Sequence, residues 1–331
     1  MRENDIRPKA LLDEFFVRLR RDATRLAERR ASFVETPCPF CGEDAERSAF
    51  EKEGFRYREC GSCGSLYASP RPTPDLLREY LDTSEAVEFW SSHFYRETAD
   101  ARRTQMFRPR AARIAALADE MGLGPGATCA DVGAGYGLFA LELAALGRFA
   151  RIVAIEPDPR LAQVCRDQGF EVIEKWVEDL LPGETGADLA TAFEVLEHVY
   201  DPATFLRAAA NAVRPGGLLF FSTLAASGFD IQVLWEHSRS VSPPQHLNFP
   251  TIAGAERLMA RAGLEPLAIT TPGQLDVDIV RNRVLAEPAL PVPRFVRTLA
   301  AAGDETRAAF QQLLREHRLS SHIQCVARRT G

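Results

Sequence analysis

Between Thr128 and Ala327 the chain alternates short runs of β-forming residues with helical stretches, and this alternation restricts its fold more than any other feature. The runs are Thr128–Val132, Arg151–Ile155, Phe170–Ile173, Asp188–Phe193, Leu218–Thr223, Leu264–Thr270 and, after a long interruption, His322–Ala327. Strands separated by helices pair in parallel through crossovers, so the pattern predicts an α/β fold with a sheet wrapped by helices.

Changes of texture divide the rest. Residues 1–35 carry an amphipathic helix from Ile6 to about Ala31, with Leu11, Leu12, Phe15, Phe16, Leu19 and Leu26 at helical spacing. Residues 36–74 form a cysteine module that closes on Ser69-Pro70-Arg71-Pro72-Thr73-Pro74, where prolines fix φ. Residues 75–122 read as a helical connector broken near Pro109, and residues 123–271 as the α/β core. Residues 272–319 are a helical insertion, clearest over Arg307–His317, and 320–331 return the last strand. No apolar run nears the roughly 20 residues that cross a bilayer, and Met1–Asp5 lacks the apolar centre of a secretory signal. The expectation is a cytoplasmic, soluble protein. Its oligomeric state is not legible.

Cys38-Pro39-Phe40-Cys41-Gly42 and Cys60-Gly61-Ser62-Cys63-Gly64 are two C-x-x-C-G knuckles. Cysteines total seven, an odd number for a disulfide scaffold, and Cys129, Cys165 and Cys325 lie apart in apolar stretches. Two close pairs supply the four tetrahedral thiolates that Zn²⁺ prefers, so Cys38, Cys41, Cys60 and Cys63 are the expected ligands of a structural zinc ribbon. The alternating Phe55-Arg56-Tyr57-Arg58 reads as one of its hairpin strands.

The run Thr128–Val132 passes into Gly133-Ala134-Gly135-Tyr136-Gly137 and then a helix, Leu138–Leu146. Glycines there admit a ligand close to the backbone, and the helix start offers free N–H groups. Glu156 ends the next strand, where a carboxylate can accept both ribose hydroxyls of an adenosine. The loop lacks the later glycine of a dinucleotide turn, and Asp131 before it would oppose a pyrophosphate. That acid suits the amino-acid end of S-adenosylmethionine.

Asp131–Gly137, D-V-G-A-G-Y-G, resembles the first motif of the class I methyltransferases. Glu156 resembles their ribose-binding acid. Phe193-Glu194-Val195-Leu196-Glu197-His198-Val199, followed by Asp201-Pro202, resembles their fourth-strand motif, and Val213–Leu219 their turn into the fifth strand. The knuckles with Leu66-Tyr67 and Pro70-Arg71-Pro72 resemble an N-terminal ribbon of one bacterial subgroup. The resemblance implies an open seven-stranded Rossmann-like sheet with its last strand antiparallel. The donor would lie across the first, second and fourth strands. It would touch Asp131, Gly133, Gly135, Tyr136, Gly137, Glu156, Phe193 and Glu194, with Val177 and Glu178 flanking the adenine.

Methyl transfer needs an aligned acceptor and often a base. Glu194, Glu197 and His198 share the E-x-x-E-H arrangement of quinone-ring O-methyltransferases, where it resembles a metal site, so Mg²⁺ is a candidate there. His246, in a proline-stiffened loop after the fifth strand, is the candidate general base, with Glu197 and His198 as further catalytic candidates. His237 is a weaker one. Asp276 and Asp278 would share a side of an extended segment and could bind acceptor hydroxyls. The expected acceptor is a small molecule, a sugar or a glycan precursor, with the insertion as a lid. A net charge of -6 argues against nucleic acid. The competing readings are an RNA methyltransferase gripping phosphate through Arg56, Arg58 and Arg71, a binding protein on a degenerate methyltransferase fold, and a dehydrogenase.

Overall fold

The computed structural model describes residues 2–330. The expected N-terminal helix is split: one turn, Glu3–Ile6, precedes Pro8, and the main helix runs Lys9–Ala27. Pro8 lacks the N–H that would carry a helix through, so it stands as the cap of the second piece. Leu12, Phe15 and Leu19 bury their stripe against Ala86, Phe89 and Phe94. Asp22, only 2% exposed, accepts from Ser84 Oγ (2.6 Å) and from the backbone N–H groups of Glu85 and Ala86. It thereby satisfies the free donors that start the next helix.

That helical stretch continues from Glu85 to Glu120 without the break expected at Pro109. Two π-turn segments, Trp90–Phe94 and Arg103–Phe107, interrupt its regular pitch instead. The second ends just before Pro109, where a wider turn accommodates the missing N–H.

The cysteine module folds as three antiparallel strands, β1 (Glu46–Lys52), β2 (Phe55–Cys60) and β3 (Leu66–Ala68). Cys38 Sγ lies 3.6 Å from Cys63 Sγ, and Cys41 Sγ 3.5 Å from Cys60 Sγ. Four sulfurs each about 2.3 Å from a tetrahedral zinc stand about 3.8 Å apart, so the set has the spacing of a Cys₄ ribbon and not of disulfides. Gly42 and Gly64, at φ +83° and +73°, make the knuckle turns that residues with a Cβ resist.

The core strands are β4 (Thr128–Val132), β5 (Arg151–Ile155), β6 (Glu171–Ile173), β7 (Ala187–Phe193) and β8 (Val213–Leu224). A two-residue strand, β9 (Asn248–Phe249), follows, then β10 (Leu264–Thr270) and β11 (His322–Arg329). The seven-stranded sheet has the order β10-β11-β8-β7-β4-β5-β6. β4 to β8 pair in parallel, and β11 runs antiparallel to both neighbours. The chain winds outward from β4 to β6 and then crosses to β7, so the strand order reverses between β4 and β7. A ligand crevice opens above the carboxyl ends at such a point.

β9 pairs outside the core sheet. It adds to the ribbon, with Leu66 opposite Phe249 and Tyr67 opposite Asn248. Arg71, fully buried, ties the seam by donating to Ala68 O, Tyr200 O and Asn248 Oδ1.

The insertion forms three helices, Asp276–Ala286, Arg294–Ala301 and Asp304–Glu316, around Ile279, Val280, Val284 and Val296. The extended segment expected at Asp276–Asp278 is helical, because Asp276 and Asp278 sit in the first turn, where carboxylates complement the helix dipole. Their side chains therefore diverge. Asp276 is buried and accepts from Ser320 Oγ (2.7 Å), Ser321 N (2.6 Å) and Gln311 Nε2 (2.7 Å), and Asp278 accepts from Glu3 N (2.7 Å). Neither is presented to an acceptor. Among the described residues, no helix is long and apolar enough to cross a membrane.

Asp276→Ala should leave buried donors at residues 320–321 unsatisfied and destabilise the fold by about 3 kcal/mol. Thermal unfolding checks this against Asp278→Ala, which removes a single half-buried bond and should shift the midpoint much less.

Candidate active site

Gly133, Gly135 and Gly137 all adopt left-handed backbone, at φ +72°, +56° and +69°. The turn brings the chain from the tip of β4 directly into the helix Leu138–Ala145. At Gly133 a Cβ would come within 2.9 Å of Val195 Cγ2, so the loop can pass the segment after β7 only without a side chain.

Two cavities meet at this turn, sharing Gly133 and His198 in their walls. One, of about 520 Å³, is bounded by Ile155, Glu156, Val177, Glu178 and Tyr200. The other, of about 400 Å³, lies beneath the N-terminal helix and is bounded by Asp131, Tyr136, Phe193, Glu197, His246 and the aromatic rings of Phe15, Phe16 and Trp90. All the residues expected at the donor border one or the other, except that Gly137 stands behind the loop as the cap of its helix. Tyr136 is tied to the connector: its hydroxyl donates to Ser91 O (2.5 Å) and its ring stacks on Tyr95 at 4.7 Å.

Asp131 is 3% exposed, and Thr191, its neighbour across β7, donates to it at 2.8 Å. Burial pushes its carboxyl up to about 7, with the Thr191 bond pulling the other way. Glu156 accepts from Gly135 N (2.8 Å) and Asp158 N (3.0 Å), and burial raises it too, against those bonds. Its oxygens keep further lone pairs toward the larger cavity.

The cluster after β7 differs from the expected one. Glu194, at φ +55°, stands outside the group of donor atoms that Glu197 and His198 form with His246. It meets His322 Nε2 (2.7 Å) and Arg110 Nη2 (3.6 Å), and Ser222 Oγ donates to it at 2.6 Å. Burial opposes its ionisation, but His322, Arg110 and Ser222 outweigh burial and hold it well below the usual carboxylate range. Glu197 is 2% exposed, accepts from Thr223 Oγ1 (2.7 Å), and is pushed up to about 8 by burial and then by the charge of Glu194.

His198 and His246 stand side by side, ring centroids 4.9 Å apart. Nδ1 of His198 lies 2.8 Å from Gln245 O, and Nδ1 of His246 lies 2.7 Å from Ser240 O. A carbonyl can only accept, so each Nδ1 carries the proton and each Nε2 keeps its lone pair. Burial, reinforced by His198, pushes His246 down to about 3, so it is neutral near pH 7. The loop that carries it is seated on the ribbon: Tyr57 Oη donates to His246 O (2.7 Å) and Ala68 N to Leu247 O (2.9 Å).

Glu197, His198 and His246 each bring a donor atom within 4.8 Å of the others. Two imidazoles and one carboxylate do not fit Mg²⁺, which takes oxygen ligands, and Glu194 is engaged by Arg110 and His322. The magnesium site expected at Glu194, Glu197 and His198 is therefore not formed. His237 borders neither cavity and faces Glu236 at 3.8 Å. Sequence reasoning missed Arg110 and His322, whose places at Glu194 arise only when the connector and β11 fold onto the sheet. It also missed Arg7 and Arg102 in the smaller cavity.

A family model described as a methyltransferase domain matches residues 102–269, half of the chain. The chain is 43% identical over 106 residues to the ubiquinone biosynthesis O-methyltransferase of Xanthomonas oryzae pv. oryzae. It is 42% identical over 107 residues to the enzyme of that name from Xanthomonas campestris pv. campestris. Each match covers 30% of this chain and 44% of the relative, so the chain spans less than half the length of these relatives. A chain in the complex of the Haloferax volcanii Trm112 methyltransferase activator with a methyltransferase shares the fold, with TM-score 0.50 and 15% identity over 73% of this chain and 96% of that one. A parallel sheet of this order, a glycine turn at its switch point and a family model over half its length make one conclusion plain: the chain is an enzyme belonging to the class I S-adenosylmethionine-dependent methyltransferases.

Proposed function

We propose that the enzyme transfers the methyl group of S-adenosylmethionine to an oxygen or nitrogen of a small molecule held beneath the N-terminal helix. The observation that carries this reading is the meeting of two differently built cavities at Gly133 and His198. The adenosine occupies the larger one, its ribose hydroxyls on Glu156 and its adenine beside Val177 and Glu178. The methionine end crosses the glycine turn, with its ammonium toward Asp131 and its carboxylate toward Arg110, which lies over the Phe193 ring at the tip of β7. The methyl then points into the smaller cavity. The relatives' name, that of an O-methyltransferase, favours oxygen as the accepting atom.

In that cavity His246 receives the acceptor's proton at Nε2. Its Nδ1–H bond to Ser240 O fixes the ring and leaves Nε2 with its lone pair. Glu197, protonated at neutral pH, is a hydrogen-bond donor beside the two imidazoles. His198 helps hold the acceptor. The walls are chiefly aromatic and aliphatic, which favours an acceptor with an apolar body over a bare sugar or glycan.

The four knuckle thiols hold one Zn²⁺. A closed four-thiolate site has no open position, so the ion stabilises the ribbon and takes no part in transfer. Metal analysis of the purified protein should return one zinc per chain. The RNA reading loses its footing, because Arg56 pairs with Glu46 (2.8 Å), Arg58 with Glu46 and Asp44 (2.8 and 2.7 Å), and Arg71 is buried.

His246→Gln should lower the transfer rate by about a hundredfold or more. Calorimetry should find the donor affinity unchanged within about twofold. A variant that loses donor affinity as well contradicts the assignment of His246 to the acceptor side.

Asp131 gives a pH test. Its raised pKa means the empty site holds a neutral carboxyl below pH 7, whereas the donor's ammonium favours the ionised form. Binding of S-adenosylhomocysteine should tighten from pH 6 to pH 8, and Asp131→Asn should flatten that rise. The same shift makes the ligand-free fold lose stability as pH climbs from the ordinary carboxylate range, about 4, through 7, since the unfolded chain ionises first.

A further inference from the structure

Four arginines border the cavity beneath the N-terminal helix: Arg7, Arg102, Arg110 and Arg239. Two of them are matched. Arg239 pairs with Asp13 at 2.9 Å and covers the Phe16 ring, and Arg110 faces Glu194 at 3.6 Å. The other two are not. Arg102 is 6% exposed, and its only side-chain hydrogen bond among the described residues runs from Nε to Thr98 Oγ1 (3.0 Å). Its guanidinium is flanked by the rings of Trp90, Phe94 and Tyr95 at 4.9 to 5.6 Å, with no carboxylate in salt-bridge range among the described residues. Arg7, half-buried at the end of the first turn, makes no side-chain hydrogen bond, ion pair or ring contact with a described residue. The two charges also act on each other: burial and then Arg7 push Arg102 down to about 10.

Buried cations without counter-ions are unfavourable unless a partner neutralises them. The acids that border the cavity do not supply one. Glu3 accepts from Asn282 (2.8 Å), Asp131 accepts from Thr191 (2.8 Å), Glu194 is held by Arg110 and His322, and Glu197 lies against Thr223. The donor brings a single carboxylate, which Arg110 answers. With that carboxylate on Arg110, Arg7 and Arg102 are left over in the cavity. The two π-turn segments bracket Tyr95–Arg102, and such turns re-aim side chains where a helix serves a site.

We infer that the methyl acceptor is an anion, an apolar or aromatic body bearing a carboxylate or phosphate group, and that Arg7 and Arg102 together bind that group. Phe15, Phe16 and Trp90 cover the apolar part, and His246 faces the accepting atom. This rests on the reading of the smaller cavity as the acceptor site. Guanidinium groups suit both anions through paired N–H donors, so the chemistry they share is the planar or tetrahedral oxyanion.

Ligand-observed NMR titration of the zinc-loaded, full-length enzyme, saturated with S-adenosylhomocysteine, tests the inference with benzoate, phenyl phosphate and the neutral benzyl alcohol. One of the anions should bind at least tenfold tighter than the alcohol, and which one does so distinguishes carboxylate from phosphate. Arg7→Met and Arg102→Met should each bring the preference below about threefold, while Arg102→Lys retains most of it. Affinity for S-adenosylhomocysteine should stay within about twofold in all three variants. Arg7→Met guards against a folding defect, since that side chain supports nothing else in the protein. Equal binding of alcohol and anions by the wild type overturns the inference, as does loss of S-adenosylhomocysteine affinity in Arg102→Met, which would assign that arginine to the donor. A wild type that does not bind S-adenosylhomocysteine fails at the donor site itself and overturns the reading beneath.

Discussion

The two-residue pairing of β9 with β3 is the constraint on which the His246 side of the site depends. Asn248 and Phe249 leave the core sheet and complete the ribbon's sheet, so the loop before them is anchored at its exit by the cysteine module. Thr251 extends the anchor by donating to Cys63 O (2.6 Å). Arg71 closes the seam from beneath, with its guanidinium spent on carbonyls and on Asn248. A ribbon that would be marginal alone thus shares one core with the catalytic domain: Cys38, Phe40 and Tyr67 pack in the same cluster as Ala255 and Leu258. The four-cysteine ribbon is a platform, and the platform holds the His246 loop.

Burial supplies the electrostatics of the centre. Asp131, Glu197 and His246 all shift toward their neutral forms because the low-polarity wall disfavours charge. Glu194 is the exception, ionised because Arg110 and His322 converge on it. The site therefore sets one carboxylate held in its ionised form beside groups whose protonation can respond to what binds. Proton transfer chemistry needs that second kind of group.

Much of this was legible in the chain. Thr128–Val132, Arg151–Ile155 and Leu264–Thr270 begin and end as expected, because β-branched runs bounded by glycine or charge carry their signal locally. Asp131, the glycines and Glu156 stand at successive strand tips, so neighbours in sequence become neighbours in space. What escaped notice was assembled over distance. Arg110 and His322 are 212 residues apart and meet only at Glu194. β9 is too short to give a periodic signal, and its partner lies in another module. Asp276 and Asp278 misled because the alternation that suggests extended chain also fits the acidic first turn of a helix. The positive φ of Glu194 had no local cue, since glycine and asparagine are the residues that announce it.

Hydrogen exchange across the loop at residues 240–250, with the knuckle metal present and after its removal by a chelator, tests most directly whether the ribbon seats the His246 loop. The account predicts that amides of 247–249 lose protection in step with the metal, while those of β4 and β5 remain protected. Unchanged protection at 247–249 in metal-free protein would contradict it and would make the ribbon a passenger on the enzyme.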